Sequence, residues 1–298
     1  MRILMSGASG LVGTALTGHL VANGHTVSRL VRRQAKPGEV TWDPTTGELD
    51  PAAFDGCDAV INLSGAGIGD KRWSDDYKVE LLSSRVQTTE LLASTMADLD
   101  HKPSVFLSGS AIGWYGDRGD ERLDELSTPG GGFLSDLAQE WEASTMAAEK
   151  AGIRTVHLRT GIVLSADGGA LKKQLPLFKL GLGGRFGNGH QWQSWISIDD
   201  QVGAITHLLS AETCGAVNLT APNPVTNSEF TATLAKVLHR PAFIPVPLFG
   251  PKMLLGRELV ESLLLGGQRV SPTALQRNGY EFRHESLDTT LRDLLHRP

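Results

Sequence analysis

Ser6-Gly7-Ala8-Ser9-Gly10-Leu11-Val12-Gly13 decides how the whole chain is read. It follows a short apolar run, Ile3–Met5, and opens a stretch, Thr14–Asn23, whose apolar residues recur at helical spacing. A strand that turns abruptly into a helix needs glycine. Gly7 permits the tight turn, Gly10 lets a ligand approach the backbone, and Gly13 lets helix and strand lie close together. Unpaired N–H groups and the positive end of the helix dipole then face a pyrophosphate. No Gly-Lys-Ser/Thr follows, which excludes a mononucleotide P-loop. Gly7, Ser9, Gly10, Leu11, Val12 and Gly13 are therefore candidate dinucleotide-binding residues.

About twenty residues further on, a fold of this kind selective for NAD carries an acid that holds the ribose 2′-hydroxyl. Here Val27-Ser28-Arg29-Leu30-Val31-Arg32-Arg33 contains none. A carboxylate would repel a 2′-phosphate, whereas a guanidinium binds it through forked, charge-assisted hydrogen bonds. Arg32 and Arg33 thus point to NADP(H) as the cofactor.

Further strands are expected at Thr26–Val31, Ala59–Leu63, Ser104–Leu107 and Thr155–Leu158. Helical stretches at Tyr77–Met96 and Phe133–Lys150 lie between them. This alternation implies an α/β fold, a doubly wound parallel sheet, with right-handed crossovers. The pattern changes after Leu164. Ala166–Gly189 is rich in glycine and reads as an excursion from the fold, with Gly181–Gly189 as a lid. We expect a cofactor-binding domain over 1–221, including 166–190 as a substrate-side segment, and a small, mostly helical subdomain over 222–298. Asp199 and Asp200 read as a helix N-cap and its neighbour.

A net charge of -5 and a pI near 6.0 give no reason to expect nucleic acid or an anionic membrane as partner. Cys57 and Cys214 lie far apart, form no metal-ligand spacing and suit a reducing compartment. No metal is expected. The glycine loop begins too early for a signal peptide, and no stretch reaches the ~18 apolar residues of a membrane span. The expectation is a cytoplasmic protein, monomeric or homodimeric, acting on a small molecule.

Several later motifs are more specific than the glycine loop: Val60-Ile61-Asn62-Leu63-Ser64-Gly65, Lys71-Arg72-Trp73, Ser84-Arg85-Val86-Gln87-Thr88-Thr89 and Ser194-Trp195-Ile196-Ser197-Ile198-Asp199-Asp200. Thr220-Ala221-Pro222-Asn223-Pro224-Val225-Thr226-Asn227 and Leu265-Gly266-Gly267-Gln268-Arg269-Val270 continue the pattern. With Gly-x-x-Gly-x-x-Gly, they resemble the atypical extended short-chain dehydrogenases/reductases called epimerase family proteins, a nucleoside-diphosphate-sugar epimerase-like group. The resemblance spans essentially the whole chain. It implies NADP(H) across the carboxyl ends of the strands, with Arg32 on the 2′-phosphate. Leu63 and Ser64 would lie along the adenosine side, with Gly65 as a further cofactor-binding candidate, and Glu80 and Arg85 on the opposite wall. Ser108, Arg159 and Val163 are further candidates, the last at the nicotinamide end.

Active short-chain dehydrogenases pair a tyrosine with a lysine four residues later, which lowers the phenol pKa for proton exchange. Tyr77, Tyr115 and Tyr280 are followed at that spacing by Leu81, Gly119 and His284, so the pair is absent. Ser110 and Tyr115 remain as catalytic candidates, one matching a substrate-binding serine and the other an alternative proton donor. His190, Trp192 and Trp195 are candidates for a substrate pocket. Two functions stay open: an oxidoreductase or epimerase-like enzyme, or a catalytically silent NADP(H)-binding redox sensor.

Overall fold

In the computed structural model, which describes residues 1–297, eight strands form one sheet. In chain order they are β1 (Arg2–Ser6), β2 (Thr26–Val31), β3 (Glu39–Asp43), β4 (Glu48–Leu49), β5 (Ala59–Asn62), β6 (Val105–Ala111), β7 (Arg154–Thr160) and β8 (Gly215–Leu219). The spatial order is β8-β7-β6-β5-β1-β2-β3-β4, parallel except for the antiparallel β3–β4 pair.

Strand periodicity divides the core. Ile3, Met5, Ile61, Leu107, Val156 and Leu158 point to the side covered by α1 (Leu11–Ala22) and later by α6 (Ile198–Ser210), where they meet Leu16, Leu20, Ile205 and Leu208. Leu4, Val60 and Phe106 point the other way, onto Leu92 and Met96 of α2 (Asp75–Asp98). With both faces covered, the central strands are continuously apolar, as parallel strands must be. From β1 the chain runs outward to β4, then returns to β5 on the other flank of β1. That reversal opens a crevice at the carboxyl ends of β1 and β5, where doubly wound sheets bind ligands.

The hairpin β3–β4 was not apparent in the sequence pattern. The excursion also differs from expectation. After α3 (Phe133–Ala143) and α4 (Met146–Lys150), residues Gly169–Lys179 form helix α5 despite an internal Pro176. Its Leu171, Leu175 and Phe178 pack on Phe230, Leu234 and Leu238 of α7 (Asn227–Leu238), so the glycine-flanked segment joins the C-terminal part in one apolar cluster. The expected lid is tied down as well: the Val246 N–H donates to the Arg185 carbonyl at 2.9 Å.

The N-cap of α6 is Ser197, whose hydroxyl accepts from the Asp200 N–H, so neither aspartate is the cap. Asp200 is 1% exposed. Its carboxylate accepts from the Ser197 hydroxyl (2.9 Å), the Tyr280 hydroxyl (3.1 Å) and the N–H groups of Arg283 (2.8 Å) and His284 (2.9 Å). A buried carboxylate is tolerated only with such partners. These bonds staple residues 280–284 onto the sheet's helical layer. Among the described residues, no helix is long and apolar enough to cross a membrane.

Candidate functional site

The glycine loop has the stereochemistry its spacing requires. Gly7 sits at φ +71, where a side chain would be strained and would also overlap the Leu63 carbonyl. A Cβ on Gly13 would overlap the Gly7 carbonyl oxygen. Gly10 is the N-cap of α1, and no side chain caps that helix. Its first-turn N–H groups therefore remain open to an anion.

A buried chain of hydrogen bonds fixes the loop against its neighbours. Ser6 donates to the Asn62 side-chain carbonyl at 2.5 Å, and the Asn62 amide donates to the Thr89 hydroxyl at 2.8 Å. Trp141 of α3 donates to the same hydroxyl at 3.1 Å. None of Asn62, Thr89 and Trp141 was singled out as a site residue, although each lies in or beside a quoted stretch. Their signal is polarity at positions that the sheet buries.

From the loop runs a cleft of about 1000 Å³, walled by Gly7–Gly10, the ends of β2 and β3, Leu63–Gly67 and the first turns of α2. At its β2 end Arg33 is bound by Glu39 of β3 through two hydrogen bonds, at 2.7 and 2.8 Å, and Arg29 approaches the same carboxylate at 3.1 Å. The Arg33 bond holds the Glu39 carboxyl down at about 2. Asp43 is engaged by Thr45. Arg32 lines the cleft with no hydrogen-bond or ion-pair partner among the described residues. The two arginines paired in the sequence reading thus separate: Arg33 is hydrogen-bonded to Glu39, and Arg32 keeps only a through-space attraction to Asp43.

On the opposite wall Glu80 and Arg85 do not touch each other. Glu80 pairs with Lys71 at 3.1 Å, and both line the cleft. Arg85 lies behind Gly65, where a Cβ would come within 3.1 Å of its guanidinium carbon. It donates to the carbonyls of Leu81 (2.8 Å) and Ala66 (3.0 Å), leaves Nε without a partner and has no carboxylate beside it. Burial pulls its pKa down to about 10. Arg85 therefore braces the Gly65–Ala66 wall from behind. Leu63, Ser64 and Gly65 line the cleft. Ser9 and Gly10 border it too, whereas Leu11 lies on a second groove of about 710 Å³ beyond α1. Val12 and Val163 pack on the central core.

Four candidates are corrected by burial. Ser108 is wholly enclosed. Ser110 is 4% exposed and donates to Glu142 of α3 at 2.6 Å. Arg159, 3% exposed, holds the same carboxylate through Nε (2.8 Å) and Nη2 (2.9 Å), with its guanidinium 3.9 Å from the Trp114 ring centroid. Tyr115 is 0% exposed, donates to Asn218 at 2.8 Å and accepts from Arg159 at 3.1 Å. Burial pushes its phenol up to about 12. For Ser110, Arg159 and, through Arg159, Tyr115 the physical reason is Glu142, which the sequence reading missed. A carboxylate carried into the core draws the nearby polar groups onto itself, away from the cleft. Tyr115 is a structural phenol, and Arg159 is the counter-ion of Glu142.

Of the pocket candidates, Trp195 is fully buried, Trp192 donates to Asp120 at 2.7 Å beneath the Arg269 guanidinium, and His190 is exposed. Asp199, His284 and Asp293 each bring a ligand-type atom within 4.8 Å of the others, but Arg283 already pairs with both carboxylates.

The pattern of the NAD dependent epimerase/dehydratase family matches residues 3–219, more than half of the chain. The chain belongs to that family. A domain of unknown function, DUF1731, matches residues 246–294. An epimerase family protein of Mycobacterium leprae is 41% identical over 99% of this chain and 96% of its own length. The human epimerase family protein SDR39U1 is 38% identical over 99% of this chain and all of its own length. A crystal structure of human SDR39U1 with NADPH superposes with a TM-score of 0.91 at 35% identity, covering 99% of both chains. A nucleoside-diphosphate sugar epimerase from Corynebacterium glutamicum gives 0.81 at 36% identity, over all of this chain and 59% of that one. The family assignment covers the glycine loop and all eight strands of the sheet except Arg2 of β1, and it agrees with the resemblance carried by the later motifs.

Proposed function

We propose that this epimerase family member binds NADP(H), with the pyrophosphate on the α1 N-terminus and the 2′-phosphate on Arg32. The unpartnered Arg32 guanidinium at the cleft end carries the reading. Glu39 is held by Arg33, and Asp43 is hydrogen-bonded by Thr45 and reaches Arg32 only as a through-space charge, so a 2′-phosphate meets a guanidinium with no hydrogen-bonded partner among the described residues. The chemistry of the cradle fits: no side chain at Gly7, Gly10 or Gly13, an uncapped helix end, and Gly65 backed by a braced cation. The NADPH in the human relative's structure supports the same choice. When bound, the cofactor would supply hydride transfer. The protein's part is to hold the phosphates and present the Leu63–Gly67 wall along the cleft. Fluorescence titration with NADPH and NADH tests this. Arg32→Ala weakens NADPH by roughly 10- to 100-fold and leaves NADH unchanged, for one or two charge-assisted bonds of about 1.5–3 kcal/mol. Equal affinities of the unaltered protein for the two would refute the reading.

The substrate is a small polar molecule, and the reaction is oxidoreductase- or epimerase-like without the tyrosine–lysine pair. The titratable groups lining the cleft, Lys71 and Glu80 among them, are left to handle protons. A second reading, a silent NADP(H)-binding sensor, is favoured by the removal of Ser110 and Tyr115 into the core. Absence of NADPH oxidation across ketones, enones and sugar nucleotides, with tight cofactor binding retained, would decide for it.

A further inference from the structure

Two stretches of the chain are wholly free of acids. Residues 168–198 carry Lys172, Lys173, Lys179 and Arg185, and residues 230–257 carry Lys236, Arg240, Lys252 and Arg257. All 33 acidic residues of a chain with net charge -5 lie elsewhere. Folding brings the two stretches together. Arg240 donates to the Lys179 carbonyl at 2.9 Å, Val246 donates to the Arg185 carbonyl at 2.9 Å, and Phe186 bridges Val246. Lys173, Lys236, Lys252 and Arg257 find acids outside the stretches, at Asp70, Asp288 and Glu261. Lys179, Arg185 and Arg240 find none among the described residues.

The same strip gathers most of the strongly exposed apolar side chains of the described residues, Leu126 and Val79 lying elsewhere. Phe243 is 91% exposed, Phe249 77% and Ile244 77%, with Leu180, Leu182 and Leu254 close behind. Ordinary solvent-facing loops do not gather such residues, and contiguous apolar surface rimmed by polar groups marks an interaction site. These side chains protrude instead of lining a groove. A protein partner would have to supply shaped pockets for each, whereas the headgroup–acyl boundary of a bilayer receives protruding apolar groups without shape matching and attracts the cations beside them when its lipids are anionic.

We propose that the strip formed by residues 177–185 and 240–254 seats the protein peripherally on an anionic lipid surface. The net negative charge of the chain does not oppose this, because the field at a surface within one Debye length is set by the nearest charges. Phe243 and Phe249 enter the boundary, and Lys179, Arg185 and Arg240 lie against the headgroups.

Co-sedimentation of the full chain with vesicles tests it. Vesicles of phosphatidylcholine mixed with phosphatidylserine pellet the protein at low salt, and phosphatidylcholine alone does not. Lys179→Glu with Arg185→Glu lowers affinity by about twentyfold or more. Phe243→Ser with Phe249→Ser abolishes the binding that survives at high salt. These positions are solvent-facing, so melting temperature and NADPH titration stay unchanged and certify the fold. No pelleting on anionic vesicles at low salt overturns the proposal, as does pelleting insensitive to both double variants. Light scattering that shows a dimer dispersed by the phenylalanine substitutions, without vesicle binding, gives the surface to a second copy. Equal binding to polyglutamate in solution gives it to an acidic protein.

Discussion

Removing the Glu142 carboxylate separates a structural role from a catalytic one for Ser110, Tyr115 and Arg159. Side-chain exposures of 4% for Arg159 and 7% for Glu142 place both ions out of water, with two hydrogen bonds between them. Glu142→Ala strands a guanidinium in the core, which costs about 3–5 kcal/mol. At about 2.1 cal/mol/K per residue, the unfolding entropy of a 298-residue chain is roughly 0.6 kcal/mol/K, so the melting temperature falls by about 5–8 °C. Replacing the pair together, Glu142→Leu with Arg159→Met, leaves no orphaned charge and restores most of the loss. Thermal unfolding by circular dichroism reads the stability, and NADPH titration of the same samples reads the cleft. A drop under about 2 °C, or a loss of cofactor affinity at unchanged melting temperature, would refute the reasoning and return these residues to the site.

Gly13→Ala sets a methyl group on the Gly7 carbonyl oxygen, so the loop and α1 must part. Calorimetric NADPH binding falls below detection while the sheet's circular dichroism persists; retained affinity would show that the loop yields freely. Glu39 supplies the pH dependence. Its folded pKa is depressed to about 2 from an ordinary value of 4.5 by the Arg33 bond, so its stabilisation is complete above pH 4.5 and is lost as pH falls towards 2. Urea midpoints measured across that window fall less steeply for Glu39→Gln than for the unaltered chain. Parallel curves would sink the assignment.

The central strands and the glycine loop are legible in the sequence because their signals are local: short apolar runs, and glycine where geometry leaves no alternative. Strand β3 is not, since Glu39-Val40-Thr41-Trp42-Asp43, next to the sheet's edge strand, mixes charge with apolar residues and buries the Glu39 side chain beside Trp42. Helix α5 is hidden by flanking glycines and an internal proline, and tertiary contact with α7 supplies what propensity lacks. The cap of α6 had a readable signature, a serine three residues before an acid at Asp200. In the site, the unpartnered guanidinium was narrowed to one of two neighbours only by the partner strand, because Glu39 belongs to the hairpin that was not foreseen. Glu142 carries no mark in a helix full of polar residues. Its importance comes from Arg159, seventeen positions away, reaching it in the core.

The staple at Asp200 bears on how the molecule comes into being. Tyr280, Arg283 and His284 emerge from the ribosome eighty or more residues after the carboxylate they satisfy. Until then a nascent chain with its sheet assembled still holds an under-satisfied anion at the head of α6, and water must be kept within reach. Completion of this part of the fold is thus postponed until residues 280–284 have been made. A fragment ending before residue 280 would carry that deficit permanently, and would be prey for proteases that the finished protein resists.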